Sequence, residues 1–185
     1  MEAEFQLLIY RLPELYQQLS NDVDRAKKIL RSQAFYDIDQ LEWATNCLHE
    51  TMALISLGYY PAQICFPPIE TDIVYKPFMS SEIIESLDDK QINIYRDVYD
   101  MLIRPVMEHD RPQMVGISVV QQKQLIPTFT FCKMIKDTFP ETHITLGGNI
   151  ITRIRDMLPG MENLWELFDS AIVYEGESAY LKLTE

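Results

Sequence analysis

The chain has 185 residues, 47% of them hydrophobic, and a formal net charge of −12. That is enough apolar material for one packed domain with room for a helical extension. No apolar run approaches the roughly 18 residues of a membrane span, and an acidic chain is a poor match for nucleic acid or an anionic membrane, which both select basic surfaces.

The first 110 residues read as mostly helical. The opening MEAEFQLLIYRLPELYQ has no basic start and no small-residue cleavage site, so it does not resemble a signal peptide, and the expected location is the cytoplasm. A helix is expected from Pro13 to about Leu30. Another carries Leu41, Ala44, Leu48, Met52 and Ile55 at helical spacing, with Asp39 as a candidate cap and Gly58 as its stop. Residues 59–78 hold four prolines among strand-formers and read as an extended surface connection. Ser80 or Ser81 is placed to cap a short helix through Leu87. Tyr95, Val98, Leu102 and Val106 then mark an amphipathic run that Pro105 is expected to kink or end.

At Pro112 the pattern changes to alternating strand and helix, which divides the chain into a helical segment, 1–110, and an α/β domain, 111–185. MVGISVV, Met114–Val120, suits a strand buried on both faces. A helix from Gln124 to Phe139 follows, with Leu125, Phe129, Cys132, Ile135 and Phe139 as its stripe, Pro127 in its first turn and Pro140 beyond its end. HITLGG is the second strand, followed by a helical segment to about Leu158. SAIVYEGE, Ser170–Glu177, is the third strand with its exit loop. This order predicts a parallel sheet in a doubly wound α/β fold.

Ligands of such sheets bind at the carboxyl ends of the strands. Those ends carry three candidate loops. Ser118 with Gln121, Gln122 and Gln124 offers hydroxyl and amide groups, Gly147-Gly148-Asn149 offers two glycines without side chains followed by a polar amide, and Glu175-Gly176-Glu177 offers carboxylates around a glycine. Each also has a plain reading as an ordinary polar loop or tight turn. No GxGxxG follows a strand and no GKS or GKT occurs, so neither dinucleotide nor P-loop chemistry is indicated. There is no GxSxG and no triad order, and the three histidines, His49, His109 and His143, form no spaced pair. Cys47, Cys65 and Cys132 are 18 and 67 residues apart, without metal-ligand spacing, and are expected to be buried free thiols.

Four short motifs together carry a resemblance. Val115-Gly116-Ile117-Ser118, Ile135-Lys136 to Pro140, Leu146-Gly147-Gly148, and Phe168-Asp169 through Glu175-Gly176-Glu177 follow one another as in the cobalamin-binding domain that precedes the catalytic domain in one large class of radical SAM enzymes. The likeness covers about residues 112–183. It implies a flavodoxin-like Rossmann sandwich with the nucleotide tail of cobalamin among the loops after the strands. It also implies cofactor contacts from Ser118, Val119, the loop Gln121–Leu125, Gly147-Gly148-Asn149 and Glu175-Gly176-Glu177, with the double glycine as clearance for the tail.

Two departures from the wider pattern matter. The DxHxxG motif of proteins that ligate cobalt through histidine is missing, so no protein histidine is expected below the corrin. The CxxxCxxC motif is also missing. The chain ends eight residues past Glu177, so the resemblance places the [4Fe–4S] cluster and S-adenosylmethionine in a downstream radical SAM domain of the same polypeptide, the expected partner in a methyl transfer or other radical reaction. One alternative is a scaffold of the same type that has lost the cofactor and serves substrate recognition or docking. Another is an unrelated flavodoxin-like regulator or nucleotide binder, but no phosphoacceptor aspartate stands at the end of the first strand.

Overall fold

A computed structural model describes residues 2–65 and 70–183. The chain divides into two compact units, Met1–Val74 and Tyr75–Glu185.

The first unit is built on a helical hairpin, α1 (Glu2–Leu30) and α2 (Ile38–Leu57), joined by a 3-10 turn at Gln33–Tyr36. Leu15, Leu19, Ala26 and Ile29 of α1 pack with Ala44, Cys47 and Leu48 of α2. Ala26 and Ala44 are both fully buried, which lets the two backbones approach closely. The Arg25 guanidinium lies 4.3 Å from the centre of the Trp43 ring. Asp37, not Asp39, caps α2: its carboxylate accepts the N–H groups of Asp39 and Gln40 at 3.1 and 3.2 Å. Helix α1 begins well before Pro13 and carries it inside, on an exposed position. The expected extended connection contains a short antiparallel pair, β1 (Gln63–Cys65) and β2 (Glu70–Asp72), which forms its own sheet. Residues 66–69 of that connection lie outside the described residues. Cys65 is exposed, against expectation, whereas Cys47 and Cys132 are buried.

The second unit starts with α3 (Ser80–Asp88), α4 (Tyr95–Val98), a π turn at Tyr99–Ile103 and α5 (Arg104–Asp110). Ser80 and Ser81 do not cap α3. The cap position is Met79, and the Glu82 carboxylate instead receives the Lys76 N–H at 2.7 Å. Pro105 neither ends nor breaks the run. The Arg104 N–H reaches back to the Tyr99 carbonyl across the wider π turn, and Pro105 then falls in the first turn of α5, where no N–H is needed.

Then come β3 (Met114–Ser118), a 3-10 turn at Gln122–Gln124, α6 (Leu125–Thr138), β4 (His143–Gly147), α7 (Asn149–Arg153), 3-10 turns at Leu158–Gly160 and Glu162–Leu167, β5 (Ser170–Ala171) and α8 (Glu177–Leu183). Helices α3 and α4 pack on α6. The fully buried Asn93 fastens this layer, donating to the Ser86 carbonyl at 2.8 Å and to Thr130 Oγ1 at 2.9 Å. The change of sequence pattern at residue 111 is therefore not a boundary in packing, because 75–110 covers the back of α6.

The chain is α/β, with a three-stranded parallel sheet in the order β3-β4-β5. Among the described residues this order has no reversal. Right-handed crossovers between consecutive parallel strands put both connections on one face. Register sorts the faces: Gly116, Thr145 and Ser170 stand abreast, as do Ile117, Leu146 and Ala171. The second set, with Ile144, belongs to the apolar face, and Ile144 and Leu146 are fully buried. The first set is small and polar and faces the opposite side, where Thr145 is buried. Strand β3 is not buried on both sides as expected: Gly116 and Ser118 are exposed. Strand β5 is also shorter than expected, because Tyr174 turns the chain away at φ +63°.

Candidate cofactor-binding site

A cavity of about 560 Å³ opens on the polar face of the sheet toward its carboxyl edge, within the range of small-molecule sites. Its floor is Gly116, Ser118, Thr145, Gly147 and Gly148. Its far wall is Ile172, Tyr174, Gly176, Glu177 and Tyr180. Three of the four motifs singled out in the sequence thus meet at one place.

The two glycines of the turn have different reasons to be there. Gly148 has φ +96°, and a Cβ on it would lie 2.6 and 2.7 Å from the backbone O and N of Val119. Only glycine fits. This approach is part of the fold, since the Val119 N–H donates to the Gly147 carbonyl at 2.8 Å and the Val119 carbonyl accepts from Ile150 at 3.0 Å. At Gly147 a Cβ would meet nothing nearer than the Ile172 carbonyl, at 3.7 Å. Gly147 leaves the cavity floor bare, and Gly148 makes the turn.

The remaining expected contacts separate. Val119 is fully buried beneath the turn. Gln124 Oε1 accepts the Val120 and Gln121 N–H groups at 2.7 and 3.0 Å, so the Gln121–Gln124 stretch caps the entry to α6. Gln122 and Leu125 line a second, apolar cavity of about 100 Å³ together with Phe78, Phe129 and Met157. Asn149 and Glu175 are exposed and do not line the large cavity.

Sequence reading missed Thr145, Thr152, Tyr174 and Tyr180. The Tyr174 N–H donates to Thr152 Oγ1 at 2.9 Å, and Thr152 Oγ1 donates to the Gly148 carbonyl at 3.2 Å, tying the third loop to the glycine turn. The Arg155 guanidinium lies 5.4 Å from the Tyr174 ring centre. The Tyr180 ring lies over Gly116, where a Cβ would be 3.1 Å from its Cε2. The one available signal was position: Tyr174 and Tyr180 bracket the EGES loop.

The remaining motif residues act at the opposite, amino-terminal edge. Lys136 donates to Asp169 Oδ2 at 2.7 Å and to the Thr142 carbonyl at 2.9 Å, while the same Asp169 oxygen accepts the Ile144 N–H at 2.6 Å. Partial burial works against the Asp169 charge, but Lys136 and the Ile144 N–H outweigh it and hold the carboxyl below its ordinary value. Phe168 is buried against Phe129 and Trp165. Beside this pair His143 Nε2 lies 2.9 Å from Ser170 Oγ, which also bonds Thr145 Oγ1.

Comparison with protein-family models, curated proteins and solved structures gave no match to this chain. Among the described residues no three His, Cys, Asp or Glu side chains are grouped to hold a metal ion, and no helix is long and apolar enough to cross a membrane.

Proposed function

We propose that the α/β part of this chain is the cobalamin-binding module of a radical SAM protein, with the nucleotide tail of the cofactor in the cavity on the polar sheet face. The observation that carries this reading is convergence: the VGIS strand, the LGG turn and the EGE loop supply residues to one cavity. The consecutive strand order supports it too, since it is the order of the last three strands of a flavodoxin-like sheet.

The residues present fit a bulky tail, because Gly116 and Gly147 add no side chains to the floor and a Cβ at 147 would meet only the Ile172 carbonyl oxygen, at 3.7 Å. Ser118, Gly147, Gly148, Gly176 and Glu177 are the expected contacts retained in this reading. Cobalamin, when bound, supplies a transferable methyl group or cobalt redox chemistry to a downstream domain that carries the [4Fe–4S] cluster and S-adenosylmethionine. This chain's own residues bind, orient and shield. The alternative of a scaffold without cofactor is favoured by one feature, the Tyr180 ring already seated over Gly116.

The test is gel filtration of the full chain after incubation with hydroxocobalamin. Corrin absorbance that travels with the protein at about one per chain supports the module. Protein that emerges colourless supports the scaffold.

A further inference from the structure

The polar face of the sheet carries a chain of hydrogen bonds that joins the start of β4 to the large cavity. Strand β4 alternates His143, Thr145 and Gly147 on this face, and the parallel register sets Ser170 of β5 abreast of Thr145. Ser170 Oγ lies 2.9 Å from His143 Nε2 and bonds Thr145 Oγ1 as well. Among the described residues these three side chains make no other hydrogen bonds. Thr145 is buried and lines the cavity, whereas His143 and Ser170 are half-buried. One end of the chain is thus a hydroxyl in the cavity wall, and the other is an imidazole. Strand β3 does not interfere, since it sets Gly116 beside Thr145 and Met114 beside His143. The charged groups around the ring are Asp169 and, bonded to it, Lys136. The titratable residues on the cavity side are Glu177, Tyr174 and Tyr180.

A serine or threonine hydroxyl both donates and accepts, so the direction of such a chain is set by the imidazole at its end. We propose that His143, Ser170 and Thr145 form a relay through which the proton state of His143 decides whether the cavity floor accepts or donates a hydrogen bond. Neutral His143, with its proton on Nδ1, accepts the Ser170 hydroxyl at Nε2. Ser170 Oγ then accepts from Thr145, and Thr145 presents a lone pair to the cavity. A proton added at Nε2 reverses each bond: the ring donates to Ser170, Ser170 donates to Thr145, and the Thr145 O–H is released to donate to a ligand. Histidine is the side chain whose ordinary titration falls near neutral pH. The floor therefore favours a ligand acceptor, such as a phosphate or amide oxygen, in acid, and a ligand donor, such as an amide N–H, in base. The relay serves the cavity of the cobalamin reading but does not depend on which ligand enters it.

Nuclear magnetic resonance of the isotope-labelled full chain, without ligand, follows both ends of the relay from about pH 5 to about pH 8. The chain has three histidines, and loss of one set of ring signals in His143→Gln identifies those of His143. Neutral His143 should carry its proton on Nδ1, and the Thr145 side-chain signals should titrate in step with the ring. In Ser170→Ala, which cuts the relay and keeps both ends, the Thr145 response should shrink about threefold or more while His143 still titrates. A neutral ring protonated on Nε2, or a Thr145 response undiminished in Ser170→Ala, would overturn the relay. Should Ser170→Ala shift the urea midpoint, Thr145→Val, which keeps the side-chain shape, decides: the Nε2 signal of neutral His143 should move, and an unmoved signal overturns the relay. Calorimetry with cyanocobalamin at about pH 5.5 and about pH 8 then reads the effect on a ligand. Wild-type affinity should differ about threefold or more between the two, and Thr145→Val should bind equally at both. A wild type that binds equally at both would overturn the control of the cavity by His143. No binding at either pH would fail the cobalamin reading, and the resonance measurements still decide the relay.

Discussion

Gly147 and Gly148 are neighbours, yet substitution at each should have a different consequence. Gly148→Ala must hold a Cβ at φ +96° against the Val119 backbone, so it should cost about 2–4 kcal/mol of stability in urea unfolding. Gly147→Ala should change stability by less than about 1 kcal/mol, since its Cβ would meet the Ile172 carbonyl oxygen at an ordinary contact distance of 3.7 Å. Loss of ligand in a Gly148 variant would therefore report a damaged turn, while loss in a Gly147 variant reports a filled cavity. The Lys136–Asp169 pair behaves as a clasp between α6, β4 and β5. Asp169→Asn should cost about 1 kcal/mol, modest because the carboxylate keeps 35% of its side-chain surface in water. Its folded pKa lies below the ordinary 3.8. The contribution of the charged form is thus complete above that pH and fades as the pH falls through the lower folded value. Urea midpoints of wild type and Asp169→Asn should differ at pH 7 and converge in acid. The residue identities at both places were visible in sequence. Which of two adjacent glycines serves the fold was not, because that depends on a strand end 29 residues earlier.

At the scale of elements, the buried Asn93 joins the α3–α4 corner to α6. Asn93→Ala strips Thr130 Oγ1 and the Ser86 carbonyl of a buried donor and should cost about 1–3 kcal/mol, measured by thermal or urea unfolding. Helices α2 and α6 were legible because their apolar residues recur with the helical period, and β3 and β4 because short apolar runs end at polar or glycine turns. The caps were less legible. Asp37 and Asp39 both precede the same stripe, and only backbone geometry decides between them. The end of β5 was misread because SAIVY has the composition of a strand, and nothing in it announces a left-handed Tyr174. The π turn before Pro105 was equally hidden, since it adds one residue to a helical turn without altering composition.

For the molecule as a whole, every residue that lines the large cavity lies between 116 and 180, inside the second compact unit. A fragment of residues 75–185 should unfold in a single cooperative urea transition, whereas 111–185 should not. The shorter piece leaves Phe131 without Tyr95 and Tyr99 and Thr130 without Asn93. The sequence pattern alone put the boundary at 110, since it registers a change of element type and not which helices cover α6. The central claim is that the glycine-floored cavity holds a cobalamin tail. The measurement that tests it most directly is a calorimetric titration of the full chain with hydroxocobalamin, comparing wild type with Gly147→Leu at matched urea midpoints. The account requires one-to-one binding by wild type and a loss of about tenfold or more in Gly147→Leu. Undiminished binding by Gly147→Leu, or no binding by wild type, would contradict it.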